Sequence, residues 1–491
     1  MARRLPPLNP VPLTGDGVVL DLAVDVGDAT LRRLRDVCDS VQPATLDQSR
    51  DWWPLALTWA KTGSAPARAA AVATPASVGE VAGVLRVANE AGIPVTATAG
   101  RSGVCGASVP VFGGILLDMT AMSGVVSVDD DSLLVDVLPG TFGDDFEDAL
   151  RSDHSLTMGH WPQSIELSTV GGWLACRSAG QYSTRYGKIE DMVVGLEVVL
   201  ADGTVIHTGG AGPRVAMGPD LTQVFVGSEG TLGIITEATL RLHPLPPEER
   251  RAAFVFADFA AGLDACRRIL RRGATPAVLR LYDERESRRS FATETGAVLI
   301  ILDEAEPAEL DATFAVIEDE CRRGGRLDGT QVESWFGHRN DVSGLASAID
   351  REIVVDTCEV AARWSVLPAL YDAALAAVSA VPGTWAVSAH QSHAYVDGAC
   401  LYFTFAGQRE GDADGYYRDA WDAVTRTTLG LGGALSHHHG IGLNRSRYLA
   451  DAMGPAFTVL EALKRALDPN AILNPGKLAL PSPFGPAVPW P

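Results

Sequence analysis

The chain has 491 residues, 46% apolar and 21% charged, a balance that supports a sizeable core and excludes a largely disordered chain. Its 40 basic and 61 acidic residues leave a net charge of −21, a field that repels a nucleic-acid duplex or an anionic bilayer and disfavours both as partners. Cys38, Cys105, Cys176, Cys266, Cys321, Cys358 and Cys400 are odd in number and widely spaced, with no Cys-x-x-Cys, and read as small apolar residues of a reducing compartment. No run reaches the ~20 apolar residues of a membrane span. Met1-Ala-Arg-Arg is followed by no apolar stretch, and the ending Pro489-Trp-Pro491 is no peroxisomal signal, so a cytoplasmic enzyme is expected.

Residues 1–65 open on a proline-rich arm. A charged helical pattern marked by Leu31, Leu34 and Val37 follows, then an aromatic cluster at Trp52, Trp53 and Trp59, which together predict an extension packed on a larger body. Near residue 70 the pattern changes. Ala71–Ala73 reads as a strand, Ser77 with Glu80 as a capping box, and Val81, Val84, Leu85 and Ala88 as one face of a helix stopped by Gly92. A strand over 94–99 runs into Gly100-Arg-Ser-Gly-Val-Cys-Gly106, with further strands at 114–119 and 133–138. Asp202-Gly203 between two β-branched runs marks a hairpin. Gly227–Gly233 leads into a strand over 234–243, and Pro244, Pro246, Pro247 and the charged Glu248–Arg251 read as a linker. From 252 to 430 strand-like and helix-like segments alternate, the rhythm of an antiparallel sheet with helices on one side, and a last helix is predicted over 454–467. The chain thus divides into an extension (1–65), a first domain (66–247), a second (248–430) and a returning segment (431–491).

Three glycine-rich segments stand out. The first, Thr96 to Gly106, follows a strand, where glycines let backbone N–H groups approach an anion; it is neither a Rossmann nor a Walker pattern. The second, Gly159 to Gly180, mixes hydroxyls, paired glycines and Arg177. It reads as a polar cofactor site or as a loop capped by its own side chains. The third, Gly227 to Ile235, lets backbone contact a planar ligand.

Together the three resemble the FAD-binding domain of the vanillyl-alcohol-oxidase-like, or PCMH-type, flavoproteins. The resemblance implies an α+β fold, with two subdomains clamping an extended FAD and a cap domain built on an antiparallel sheet flanked by helices. It implies cofactor contacts from Thr98, Ala99, Gly100, Arg101, Ser102, Gly103 and Gly106 of the first segment, which would hold the pyrophosphate. Gln163, Ser164, Ser168, Thr169, Gly172, Arg177 and Ser178 of the second would run beside the flavin. Glu229, Gly230, Gly233 and Ile235 of the third would approach the adenine and ribose. Leu467–Leu478 is similar to the family's closing segment. Some members attach FAD to a His in the first loop or a Cys in the second. Here Arg101 and Ser102 stand in the first, and no Cys precedes Cys176 in the second, so non-covalent FAD is expected, with Cys105 the one thiol near the first loop.

Ser436-His437-His438-His439-Gly440 places three imidazoles in a row. On a strand, His437 and His439 would share one face. The run reads as a wall of donors and proton shuttles around a substrate, as a metal chelate, or as a surface run. Ala399–Phe405 reads as an alternating strand. The triplet, this strand and Ile165–Trp173 resemble the alkylglycerone phosphate synthases. These flavoproteins of ether-lipid synthesis exchange an acyl for an alkyl group on a ketone phosphate, with the substrate held through flavin N5 and no net redox. The resemblance makes Tyr402 the acid/base, His437, His438 and His439 its companions, and Arg280 a substrate contact. Its phosphate-binding arginine falls at Arg351 when counted from Gly337-His-Arg339, and at Leu345 when counted back from Val355–Glu359. An Arg351 outside the site implies a substrate without that phosphate. No metal is expected, and the partners are a small, lipid-like substrate and no nucleic acid; a homodimer is allowed.

The alternative is an FAD-dependent oxidoreductase acting on an alcohol, sugar or 2-hydroxy acid. Hydroxy-acid dehydrogenases of this superfamily resemble one another in a metal-binding His-x-Gly-Asp-Gly-Asn-x-His segment. In His393–Tyr402 the first His is present and the second is not. A non-enzymatic FAD-binding protein is the third reading; it requires Tyr402 and the triplet to be incidental.

Overall fold

The computed structural model describes residues 4–7, 9–210 and 212–490. Met1–Arg3 and Pro491, which bear on the reading of the two ends, lie outside the described residues. Helices and three larger sheets form a mixed α and β architecture in which the sheets meet around one cavity.

The first sheet orders its strands Val41–Pro43, Ala71–Ala73, Ile115–Asp118 and Val95–Thr98; the last three run parallel. The helix Val78–Ala91 is the crossover between Ala71–Ala73 and Val95–Thr98, which run parallel on either side of Ile115–Asp118. Ser77 caps that helix by accepting from Glu80 N at 3.3 Å, and Gly92 ends it at φ 63, a left-handed turn that glycine adopts without strain. The second sheet is antiparallel, in the order Val205–Gly209, Val193–Val199, Ile234–Arg241, Leu134–Val137 and Val125–Asp129. The hairpin predicted at Asp202-Gly203 joins its first two strands.

The third sheet has seven antiparallel strands: Gly325–Arg326, Glu248–Phe256, Ala297–Ala305, Val278–Tyr282, Thr384–Ala394, Gly398–Gly407 and Val354–Arg363. Four amphipathic helices, Phe259–Arg271, Pro307–Glu320, Leu367–Ser379 and Ala413–Gly430, bury Leu263, Ile269, Leu310, Leu370, Trp421 and Val424 against one of its faces. The shorter helix Thr330–His338 covers part of the other face through Val332 and Trp335. The expected linker is overturned at Glu248–Arg251, which pairs with Leu302–Ala305 as the start of a strand. These charges stand where the strand has no second neighbour, and strand edges tolerate charge; Arg250 pairs with Asp311 and Arg251 with Glu333.

The N-terminal extension is stitched into the body. Trp53 is fully buried, donates to Tyr417 Oη at 2.9 Å and meets Trp59 and Trp490 edge-on. Among the described residues no helix is long and apolar enough to cross a membrane. All seven cysteines are free.

Candidate active site

A cavity of about 410 Å³ lies where the three sheets meet. All three glycine segments reach it. From the first come Thr98 to Gly103, from the second Gln163, Ser164, Ser168, Thr169, Gly172 and Ser178, and from the third Glu229, Gly230, Gly233 and Ile235. The cap side contributes Arg280, Thr357, His390, His393, Tyr402, His438 and His439.

Each loop is locked to its neighbours. A methyl on Gly100 would come within 2.1 Å of Leu167 O, so only glycine lets the first and second loops touch. Glu229, at φ 51, accepts from Ile441 N at 2.5 Å and Gly442 N at 2.9 Å, and Leu443 N donates to Cys105 O at 2.8 Å. The segment after the histidines therefore clips the third loop to the first. Asn474 Nδ2 donates to Glu229 O at 2.7 Å and Ala107 O at 3.0 Å, and buried Lys477 donates to Val109 O at 2.7 Å. The second loop spends its own side chains internally: Trp173 donates to Ser168 Oγ at 2.7 Å, Thr169 caps the helix Val170–Cys176, and Ser178 Oγ shares a hydrogen bond with His160 Nε2 at 2.9 Å. Backbone is left to face the cavity.

The residues fit the flavin the sequence implies. Apart from its chain neighbours and its own helix backbone, a methyl on Gly103 would come no nearer than 3.6 Å to Asp51 and one on Gly172 no nearer than 3.4 Å to Thr169, so the protein does not crowd these wall glycines and the space beside their backbone suits a ligand. Thr98 Oγ1, on the same wall, is buried without a partner. Four expected contacts do not line the cavity. Gly106, at φ 78, packs against Trp53 and Leu443. Arg177, at φ 55, ends the helix Val170–Cys176 and lies 3.6 Å from Glu190. Arg351 ends the helix Gly344–Asp350 and is exposed. His437 stands behind His438.

The chemistry concentrates on one row across the third sheet. Register places Tyr282 opposite His390, His390 opposite Tyr402, and Tyr402 opposite Glu359. The ring of His390 stacks on Tyr402 at 4.5 Å. Arg280 Nη2 donates to His390 Nε2 at 2.7 Å; a guanidinium only donates, so the imidazole proton sits on Nδ1 and points to Glu286 Oε2 at 2.9 Å. His393 reaches the same face through a bulge between Ser392 and Ala394, where it adopts φ 51. Its Nε2 lies 3.1 Å from Tyr402 Oη, and His438 Nε2 lies 2.8 Å from the same oxygen.

The histidine triplet is not a strand. It lies in an irregular loop, wrapped around the Glu359 carboxylate. Glu359 accepts from His437 N at 2.6 Å, His439 N at 3.0 Å, Ser436 Oγ at 2.6 Å and Arg445 Nη1 at 2.8 Å. Burial pushes the Glu359 carboxyl up, but Arg445 and the histidines outweigh it and hold the group at about 2. Burial pulls His437 down to about 3 and His439 to about 4, with His438 and His393 well below the usual value. The imidazoles are therefore neutral at physiological pH, and Tyr402, pushed well above 10 by burial, is a protonated phenol. Glu359, Cys400, His437 and His438 hold ligand atoms within 4.8 Å of one another, the carboxylate already engaged by Arg445.

Sequence reasoning missed Glu359, His390, Ser183 and Tyr395. Glu359 had a local signal: with Asp356 it is one of two acids in the otherwise largely apolar run Val354–Val360, positions that demand buried partners.

The comparisons with known proteins agree with this geometry. Residues 69–209 match the FAD binding domain family and residues 245–478 the C-terminal domain of the FAD linked oxidases. The chain is 33% identical to the uncharacterized FAD-linked oxidoreductase YgcU of Escherichia coli over 83% of this chain and 88% of the relative. It is 30% identical to the alkyldihydroxyacetonephosphate synthase of Dictyostelium discoideum over 83% of this chain and 72% of that one. A solved alkyldihydroxyacetonephosphate synthase superposes with a TM-score of 0.76 at 26% identity, covering 92% of this chain and 86% of that chain. A p-cresol methylhydroxylase superposes at 0.76 with 18% identity, over 92% and 96%, and so shares the fold. With both halves of the chain matched and the glycine loops gathered on one cavity, the protein belongs to the FAD-linked oxidases, an enzyme with FAD as its cofactor.

Proposed function

We propose that Tyr402 exchanges a proton with a substrate held against FAD, and that the reaction resembles that of alkyldihydroxyacetonephosphate synthase: an alkyl group replaces an acyl group on a ketone phosphate without net redox change. The observation that carries this reading is the Tyr402 phenol, buried on the cavity wall and bonded to His438 and His393 at 2.8 and 3.1 Å. When bound, FAD supplies an electron-accepting ring. The protein supplies the acid, the base and the charge. Tyr402 Oη–H can donate to a carbonyl oxygen, and its two neutral imidazole neighbours stabilise the phenolate left behind. Arg280 is a cation on the cap side of the wall. Its Nη2 is held by His390 while its Nε is buried without a partner, which suits an anionic group on the substrate.

Non-covalent FAD is supported by the walls themselves. The first loop offers Arg101 and Ser102, Cys105 does not line the cavity, and burial pushes the Cys176 thiol up, making it a poor nucleophile. A cytoplasmic location and a homodimer remain part of this reading.

One observation favours the second reading, an oxidoreductase acting on an alcohol, sugar or 2-hydroxy acid. Arg351 is exposed and outside the cavity, which removes the arginine assigned to the phosphate. The Tyr402 oxygen would then take a hydroxyl proton from the substrate while passing its own to the His438 or His393 nitrogen beside it. The test is anaerobic mixing of the yellow protein with acylated ketone phosphates, 2-hydroxy acids and alcohols. Incorporation of a labelled fatty alcohol without electrons reaching oxygen or a dye supports exchange. Rapid bleaching by a hydroxy acid or alcohol supports oxidation and sinks the exchange reading.

A further inference from the structure

Tyr402 belongs to a closed circuit. Tyr402 Oη meets His438 Nε2 at 2.8 Å, and His438 Nδ1 meets His437 Nδ1 at 2.9 Å. His437 Nε2 meets Tyr395 Oη at 3.0 Å, and Tyr395 Oη donates to Ser183 Oγ at 3.2 Å. Ser183 Oγ meets His393 Nδ1 at 2.7 Å, and His393 Nε2 returns to Tyr402 Oη at 3.1 Å. Six groups share six hydrogen bonds, five of ordinary length and one, between Tyr395 and Ser183, stretched to 3.2 Å.

The proton count decides what such a ring can do. A neutral imidazole carries one N–H and a hydroxyl one O–H, so six neutral groups bring six protons to six bonds. Burial keeps these imidazoles neutral. With every bond filled, each group donates once and accepts once, and only two arrangements exist. In one, His438 carries its proton on Nδ1 while His437 and His393 carry theirs on Nε2; in the other all three are reversed. Neither gives Tyr402 Oη two donors or frees its proton for the cavity. A third arrangement does. His438 and His393 both present Nε2–H to the phenol oxygen, His437 donates from Nδ1, and Tyr395 and Ser183 each donate outward, leaving their shared bond empty. That bond is the longest of the six, at 3.2 Å.

We propose that Ser183 and Tyr395 are positioning residues for Tyr402: with the bond between them empty, their hydroxyls donate to His393 Nδ1 and His437 Nε2 and hold the flanking imidazoles in the tautomers that present Nε2–H to the phenol oxygen. This rests on the assignment of Tyr402 as the acid/base. In the step, the Tyr402 O–H bond breaks and its proton bonds to a substrate atom. The phenolate electron pair accepts from His438 and His393, and return of the proton restores the ring. No electrons leave or enter the ring. Ser183 opens the helix turn 183–186 of the flavin-binding half, whereas Tyr395 follows the strand Thr384–Ala394 of the third sheet. The ring therefore spans the two halves of the molecule.

The test has two arms, both on the flavin-loaded full chain. In the first, imidazole nitrogens of ¹⁵N-histidine-labelled protein are followed by NMR, with His438 assigned from the signal lost in His438→Gln. Ser183→Ala and Tyr395→Phe are each expected to change the tautomer populations of His438, which neither residue touches. Ser183→Thr, which keeps the hydroxyl, is expected to retain them. Unmoved His438 signals in both loss variants overturn the proposal. In the second arm, turnover is read on whichever substrate the panel identifies. Each loss variant is expected to lower kcat about tenfold with KM unchanged, and the double variant no further, because either one already breaks the ring. Additive losses, or unaltered rates, overturn it. A panel that yields no substrate counts against the function proposed for the site, and the NMR arm then decides the ring alone.

Discussion

The two walls of the cavity are built on opposite plans. The flavin-binding wall is backbone: Gly100, Gly103, Gly172, Gly230 and Gly233 line it, and its hydroxyls are largely spent on capping their own loops. The cap wall is side chain: His390, His393, His438 and His439 line it with the Tyr402 phenol, and His393 and His438 are bonded to that phenol. A backbone wall recognises shape and offers fixed donors, whereas a side-chain wall moves protons. The difference predicts that damage to one should cost occupancy and damage to the other should cost rate.

The largest separation is expected from Tyr402→Phe. The protein should stay yellow while turnover falls by about 10²- to 10⁴-fold, the usual worth of a general acid–base; an unaltered rate removes Tyr402 from the reaction. Glu359→Gln should cost stability rather than chemistry. It leaves Arg445 buried and unpaired, a loss of about 3–5 kcal/mol by analogy with other broken buried pairs, read as a lowered unfolding midpoint in denaturant. His439→Gln sharpens the electrostatic side of the comparison. His439 is held neutral to about pH 4, below its usual 6.5, so its contribution is complete above 6.5 and lost as the pH falls toward 4. The stability gap between the protein and this variant should therefore narrow on acidification, and a gap independent of pH contradicts a buried neutral imidazole.

Smaller effects belong to the backbone wall. Gly103→Ala meets no protein clash, so the fold should hold while flavin affinity drops about tenfold, the equivalent of ~1.4 kcal/mol; equilibrium dialysis of the colourless protein checks it. Arg351→Ala should change neither binding nor rate, since the side chain is exposed at a helix end.

The backbone wall was the more legible in the sequence. Loops that need left-handed turns or close approach must spell glycine, and three such loops were readable without coordinates. The cap wall was legible only in part. Tyr402 and the triplet stood out through resemblance, but the row Tyr282, His390, Tyr402 and Glu359 exists only through strand register, which no local pattern encodes. His393 faces the cavity because a bulge reverses its side, and simple alternation from His390 places it wrongly. Gly106 and Arg177 share the motif yet serve the packing behind it. The charged start of the third sheet read as a linker because its neighbours are supplied by tertiary ion pairs.

Asn474 and Lys477 fasten the glycine loops from near the end of the chain. We therefore expect coenzyme uptake to wait on the segment that carries these two residues, and a chain stopped just before Asn474 to be purified without colour. Retention of full yellow absorbance by that truncated chain would show that the terminal clasp is dispensable for assembly.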